Sequence, residues 1–289
     1  MALAPINGVE IYYEEPGQGT PILFCHEFAG DYRSWEPQVR FFARRYRAIT
    51  YSMRGYHPST IPPYAEAYSE EQNVEDAYEL LRFLGIEKAH IVGLSMGGNQ
   101  TLKLGMAHPE VCLSLVVAGA GFGSTNPAEF RANALETADL VDSVGMDQFA
   151  ETYGRGPSRL RFEQKDPHGF ATMLFQLKDH STVGSAMTMR NVQGKRKTVY
   201  EVADDLPTLD VPTLIVSGDE DELALEPALL MKRKIPNSGL LIVPKTGHTV
   251  NLEEPALFNQ AVLEFVTAVE QGAWTPRRDT TTGLLPPER

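Results

Sequence analysis

The chain predicts an α/β fold: a mostly parallel central sheet covered by helices on both faces and interrupted by an inserted helical cap. Three observations carry this reading. Short apolar runs of strand length alternate with helix-compatible stretches through residue 120. Those runs are apolar throughout rather than at every second position, which suits strands buried on both faces and therefore a parallel sheet. The rhythm lapses between residues 123 and 206 and resumes at residue 211. The expected division is a sheet domain of residues 1–122 and 207–270, a helical cap of residues 123–206 and a C-terminal arm of residues 271–289.

The elements follow in order. Residues 6–14 alternate enough to open the fold as a hairpin pair, closed off by Pro16-Gly17-Gln18-Gly19. Residues 21–26 and 46–52 read as buried strands. Between them and the next strand, Val74, Ala77, Tyr78, Leu81 and Leu84 recur at helical spacing, predicting a helix over 69–83 that Gly85 stops. Residues 89–93 form a further strand, the helix after it ends near His108-Pro109, and residues 112–118 form another strand. The rhythm breaks at Gly119-Ala120-Gly121-Phe122-Gly123. The segment beyond it holds helix-like stretches, no buried strand, and a Gly/Pro/Arg-rich run from Tyr153 to Arg159. A strand at 211–217, a helix around 226–234, a strand at 240–244 and a helix at 255–269 with Pro255 in its first turn complete the core. The tail from Gln271, with Pro276, Arg277, Arg278, Pro286 and Pro287, lacks apolar periodicity and reads as a surface arm.

Composition narrows the function classes. The 289 residues carry a net charge of −12, which argues against nucleic acid or an anionic membrane as partner, because both demand concentrated positive charge. A small-molecule substrate remains the expected partner, and a homodimer is admitted. The two cysteines, Cys25 and Cys112, each lie in an apolar strand-like run and read as buried thiols of a reducing compartment. The first residues, Met1-Ala2-Leu3-Ala4-Pro5, lack the basic and apolar segments of a secretory signal, so the cytoplasm is the expected location.

Gly93-Leu94-Ser95-Met96-Gly97 is a G-x-S-x-G pattern placed between a strand and a helix, the context in which a serine is held on a strained turn as a nucleophile. Gly93 and Gly97 leave room for that turn, and the following helix aims its free N–H groups at the serine. Two further strands end in Gly218-Asp219-Glu220-Asp221-Glu222 and in Thr246-Gly247-His248. Ligands of parallel sheets collect beyond the carboxyl ends of the strands. The expected roles are Ser95 as nucleophile, His248 as base, and one of the acids at 219–222 as the group orienting the imidazole. The order serine, acid, histidine suits a nucleophile-elbow fold. An acyl-transfer serine also needs two convergent amide donors. Met96, next after Ser95, supplies one, and Phe28, in His26-Glu27-Phe28-Ala29-Gly30 after the strand at 21–26, the other. The Phe28 side chain is then expected to wall the pocket. His26 and His57 also fall at strand ends and could line the site. His90 reads as a core histidine, and His108, His168 and His180 as surface or capping residues.

With these motifs in place, residues 5–270 resemble the α/β-hydrolase superfamily, in particular small capped bacterial esterases, lactonases, haloperoxidase-like hydrolases and carbon–carbon bond hydrolases. The resemblance aligns residues 212–221 with the strand whose G-x-x-D carries the catalytic acid, and so selects Asp221. It aligns Gly247-His248, followed by Asn251-Leu252-Glu253-Glu254-Pro255, with the histidine loop. Serine at the nucleophile position sets aside the dehalogenases and epoxide hydrolases of this fold, which use aspartate there. The chain departs from the family pattern twice: His26-Glu27 stands for the usual His-Gly, and residues 52–59 give only a partial Asp-x-Arg-Gly-x-Gly-x-Ser, with Ser52 and His57 as the misfits.

The expected activity is hydrolysis of a small carboxylic ester or lactone through an acyl-enzyme on Ser95. The alternatives are cleavage of a carbon–carbon or amide bond in a small acidic metabolite by the same machinery, cofactor-free perhydrolysis, and a non-enzymatic ligand receptor. No cofactor is implied, and no metal, because the histidines show no ligand spacing. Candidate substrate contacts are Glu27, His26, Met187 on a methionine-containing cap helix, and Arg190. The resemblance to carbon–carbon bond hydrolases, which hold an acidic substrate with a cap arginine, brings Arg190 forward, and Arg155, Arg159 and Arg161 cluster earlier in the cap.

Overall fold

The structure is a computed structural model and describes residues 2–276. The chain opens with β1 (Ala2–Ile6) and β2 (Val9–Glu14), an antiparallel pair turned at Asn7-Gly8, both of which have positive φ. This is the tight hairpin that an Asn-Gly pair favours. The pair therefore begins at Ala2, four residues before the expected start. The core then runs β3 (Pro21–Cys25), α1 (Glu36–Phe42), β4 (Arg47–Tyr51), α2 (Glu70–Phe83), β5 (Ala89–Leu94), α3 (Met96–Ala107) and β6 (Cys112–Ala118). Ser69 caps α2 by accepting the Gln72 N–H at 3.0 Å, and Val74, Ala77, Leu80 and Leu81 form its buried face.

An inserted helical region follows: α4 (Pro127–Tyr153), α5 (Leu160–Lys165), α6 (Pro167–Lys178) and α7 (Thr182–Met187), the last running into a wider π-type turn over Thr188–Gln193. The core resumes with β7 (Thr213–Gly218), α8 (Glu222–Lys234), β8 (Ser238–Val243), the short α9 (Val250–Glu253) and α10 (Pro255–Glu270). Of the expected arm, residues 277–289, with Arg277, Arg278, Pro286 and Pro287, lie outside the described residues. Trp274 packs edge-on against Phe265 of α10 at 4.6 Å between ring centroids.

The eight strands among the described residues form one sheet in the order β1-β2-β4-β3-β5-β6-β7-β8, parallel from β4 to β8. Two apolar clusters cover its faces. Leu23, Ile49, Ile91, Leu115 and Ile215 point to the one containing α2, α3 and α8 side chains. Their neighbours Phe24, Ala48, Val92, Val116 and Val216 point to the one built on α1 and α10. Burial on both sides is why these strands read as unbroken apolar runs. Because β3, β5, β6, β7 and β8 are parallel, their carboxyl ends share one edge, and the loops after them converge under the helical insertion. Cys25 and Cys112 are buried free thiols. No helix among the described residues is long and apolar enough to cross a membrane.

Candidate active site

Ser95 sits where β5 turns into α3, with φ 56 and ψ −111, a backbone conformation that a side chain rarely adopts. Tight packing enforces it. A β-carbon on Gly97 would lie 2.0 Å from the Cys25 carbonyl oxygen, and one on Gly93 would lie 2.1 Å from the Gly97 oxygen, so only glycine fits at either place. Met96 is the first residue of α3, and its N–H is one that the helix leaves without an intrahelical acceptor.

Across the same edge, His248 Nδ1 and Asp221 Oδ2 are 2.8 Å apart, with both side chains buried. Burial pushes the imidazole pKa down. The charge and hydrogen bond of Asp221, aided by Glu27, outweigh burial and the opposing Arg159 charge, and hold His248 above the usual histidine value. Two other acids of the loop are engaged elsewhere: Asp219 accepts the Thr246 N–H at 3.2 Å, and Glu220 accepts from Arg161 Nε and Nη2 at 2.6 and 2.7 Å. The His248 loop is itself clamped by Glu253, which accepts the Gly247 N–H at 2.8 Å and the Thr249 N–H at 3.1 Å.

Ser95, His248 and Phe28 line one cavity of about 300 Å³ between the sheet edge and the inserted helices, the size of a small-metabolite pocket. The Phe28 ring packs edge-on against Phe149 and Tyr153 of α4 to form one wall. Phe122, after β6, lies 4.5 Å from the imidazole, ring centre to ring centre. Among the described residues, no group of three or more His, Cys, Asp or Glu side chains could hold a metal ion.

The four candidate substrate contacts do not line this cavity. His26 is fully buried below the loop, set between the Glu27 carbonyl at Nδ1 (2.7 Å) and the Met53 N–H at Nε2 (3.0 Å). Burial, only partly offset by that carbonyl, drives its pKa to about 4, so it stays neutral and ties the partial-motif loop to the loop after β3. In that partial motif, Ser52 Oγ donates to the His57 carbonyl at 2.9 Å, and His57 itself is exposed. Glu27 is buried too, in an ion pair with Arg159. Arg190 is drawn outward by two carboxylates of α4, Asp139 at 2.6 Å and Asp142 at 2.7 Å. Met187 gives way to Met189 and Gln193, which the wide turn after α7 presents to the cavity. His180 is a further correction: it is buried against Tyr56, 3.5 Å from Asp31, rather than at the surface.

Of the cap arginines that the sequence offered as possible carboxylate clamps, Arg159 lines the cavity, whereas sequence reasoning missed Arg196, Phe122 and the clamp by Glu253. Phe122 follows a strand end and could have been found by the rule that picked Phe28. Glu253 lies in a quoted segment, but its contacts are set by the loop's path. Arg196 carried no local signal.

A parallel sheet with a strained serine, a histidine–carboxylate pair and a covering helical insertion at its carboxyl edge defines a hydrolase scaffold. The family description "alpha/beta hydrolase fold" matches residues 20–255, and the chain belongs to that family. It is similar to 3-oxoadipate enol-lactonase 1 of Acinetobacter baylyi, with 28% identity covering 88% of this chain and 91% of that protein. It is also similar to (E)-2-((N-methylformamido)methylene)succinate hydrolase of the same species, with 24% identity covering 89% and 94%. Among solved structures, a thermophilic esterase from Thermogutta terrifontis with malate bound superposes with a TM-score of 0.81 at 25% identity, covering 91% of this chain and 96% of that one. The protein has α/β-hydrolase-type hydrolytic activity on small organic substrates.

Proposed function

We propose that the protein cleaves a small carboxylic ester or lactone through an acyl-enzyme on Ser95. The observation that carries this reading is the strained Ser95 sharing one cavity with His248, whose Nδ1 is hydrogen-bonded to Asp221. Ser95 Oγ attacks the carbonyl carbon while His248 takes its proton at Nε2, the ring nitrogen not engaged by Asp221. The carbonyl oxygen gathers the negative charge and accepts from the Met96 and Phe28 N–H groups. Collapse expels the alcohol oxygen, to which His248 returns the proton. In a lactone that oxygen stays tethered to the acyl group. Water, deprotonated by His248, then attacks the acyl-enzyme, and the acid leaves with Ser95 restored. Asp221 keeps the imidazole in the tautomer that can accept at Nε2 and stabilises the imidazolium. In this reading residues 123–206 are the cap that sets specificity over a core of residues 1–122 and 207–270.

Similarity to an enol-lactonase and to an esterase supports the ester and lactone class. The relative named for an N-methylformamido-bearing succinate supports a second reading, cleavage of an amide-type bond by the same groups. A matched p-nitrophenyl ester and p-nitroanilide test both. Turnover of the ester with an acyl-enzyme mass on Ser95 is expected, and its abolition in Ser95→Ala. An ester left untouched while the anilide is cleaved favours the second reading, and undiminished turnover in Ser95→Ala overturns both.

A further inference from the structure

Phe122 stands between two glycines in the stretch after β6. Gly121 and Gly123 have φ of 113 and 83, in the region that other residues resist, so this stretch has little stiffness of its own. Its ring is nonetheless placed on the catalytic imidazole, 4.5 Å from ring centre to ring centre. The start of the same stretch also lies against that imidazole: a β-carbon on Gly119 would stand 3.3 Å from His248 Cε1. The bond to Asp221 fixes where His248 Nδ1 sits, and the tilt of the ring is left to these packing contacts.

The hold on Phe122 comes from the far end of the insertion. Arg196, in the segment that returns from the wide turn to the core, donates from Nη2 to the Phe122 carbonyl at 2.7 Å. The guanidinium is itself aimed, because its Nε donates to Gln193 Oε1 at 2.8 Å and its face lies 4.8 Å from the centre of the Phe130 ring. Phe130 in turn presses on Gly123, where a β-carbon would stand 2.3 Å from Phe130 Cγ. A second stitch joins the same two segments, with the Val199 N–H donating to Ser124 Oγ at 3.2 Å. Burial lowers Arg196 to about 10, so it stays charged at neutral pH and its bond to Phe122 is charge-assisted.

We propose that Arg196 is a positioning residue for the catalytic base: it anchors the Phe122 backbone so that the Phe122 ring packs on His248 and keeps the imidazole turned toward Ser95. This rests on the serine-hydrolase reading above, which makes His248 the base. The chain of contact runs from the insertion through one backbone carbonyl to the reacting group, and Arg196 itself touches neither Ser95 nor His248.

The experiment is a double-mutant cycle on p-nitrophenyl ester hydrolysis, paired with the imidazole signal of His248. Arg196→Gln should lower kcat about ten- to a hundredfold, as misplacement of a catalytic group does, with KM changed far less. Arg196→Lys, which can still donate to the Phe122 carbonyl, should recover part of the loss. In a Phe122→Ala background the same Arg196→Gln change should cost less than about twofold, because its effect has already been removed. Additive losses in the cycle, or an undiminished kcat in Arg196→Gln, overturn the proposal. The His248 Cε1–H resonance, assigned by its loss in His248→Gln, reports the ring current of Phe122 without any turnover. Phe122→Ala should move it, and Arg196→Gln should move it at least half as far in the same direction. A signal that Arg196→Gln leaves in place overturns the proposal whatever kcat does. If Arg196→Gln fails to fold, Gln193→Leu replaces it, since it keeps the guanidinium but removes the acceptor that aims it, and an unmoved signal there is equally fatal. A native protein that cleaves no ester sinks the hydrolase reading alone, and the resonance still decides whether Arg196 sets the place of the imidazole.

Discussion

Replacing Glu27 with glutamine should destabilise the fold by about 3–5 kcal/mol, the usual penalty for stranding one member of a buried ion pair. Side-chain exposure is 4% for Glu27 and 3% for Arg159, so each charge is compensated mainly by the other. Arg159 has little else to rely on: its Nε is buried without a partner, and its other notable contact is the Tyr153 ring, 5.0 Å away. Arg159→Met should cost about as much from the other side, leaving a buried carboxylate. The double variant removes both charges and should be more stable than either single one, giving a coupling of about 3 kcal/mol or more. Urea unfolding measures this directly, with single-variant midpoints falling by about 1–2 M at unchanged slope. Glu27 directly precedes Phe28, the proposed oxyanion donor, so kcat for an ester should fall more than KM rises. Single variants that cost under about 1 kcal/mol, or a double variant that is simply additive, would refute the argument that the pair is dry and mutually dependent.

Further outcomes follow from the same geometry. Gly97→Ala forces a β-carbon onto the Cys25 carbonyl at 2.0 Å, and since neither partner is a flexible side chain, a loss of about 3 kcal/mol or more is expected in urea unfolding. Full stability there would mean that the elbow is looser than described. Glu253→Gln keeps the shape of the clamp but turns one acceptor into a donor facing N–H groups, so kcat should fall at nearly constant KM and stability should drop by about 1–3 kcal/mol. Equal effects on kcat and KM would argue against a role in orienting His248. Because His248 must be neutral to act as base and its pKa is raised, kcat/KM should climb with pH along a limb centred above about 6.5. Residual activity in Asp221→Asn should titrate lower, because burial then acts against a weaker opposing field. The sign for stability is the reverse: protonated His248 stabilises the fold below about pH 6.5, and that contribution is lost as pH rises through the folded value. The stability gap between the native protein and His248→Gln, measured by urea unfolding across that window, should shrink as pH rises. A limb at or below 6.5 would refute the assignment of the raised pKa.

The parallel sheet was legible because each central strand is buried on both faces and so carries its own signal over five to seven consecutive residues. The loops holding Ser95, Asp221 and His248 were legible for a related reason: a strand end is a local feature, and parallel strands bring such ends together whatever lies between them. The inserted region offered nothing comparable. Which arginine faces the cavity depends on the rotation of each helix and on partners far away in sequence. Arg190 meets Asp139 and Asp142, about fifty residues earlier, while Arg159 meets Glu27, which is 132 residues away. The wide turn over Thr188–Gln193 also shifts the facing positions, replacing Met187 with Met189. Glu27 read as a departure from pattern because its explanation lies in a different part of the chain.

The long helix α4 breaks at Gly145, where φ is 71 and ψ is 173. Before the break, Phe130, Asn133, Ala134 and Thr137 line the cavity, and after it Tyr153 does. Two stretches of the chamber wall therefore belong to one helix kinked between them, and a single joint sets how they sit relative to each other. No atom lies within 4 Å of where a Gly145 β-carbon would stand, so only the backbone preference of the residue there resists change. Substitutions at this distant elbow would resize the chamber without altering any group that touches its contents, giving a lineage with this architecture a route to new substrate lengths that leaves the chemistry untouched.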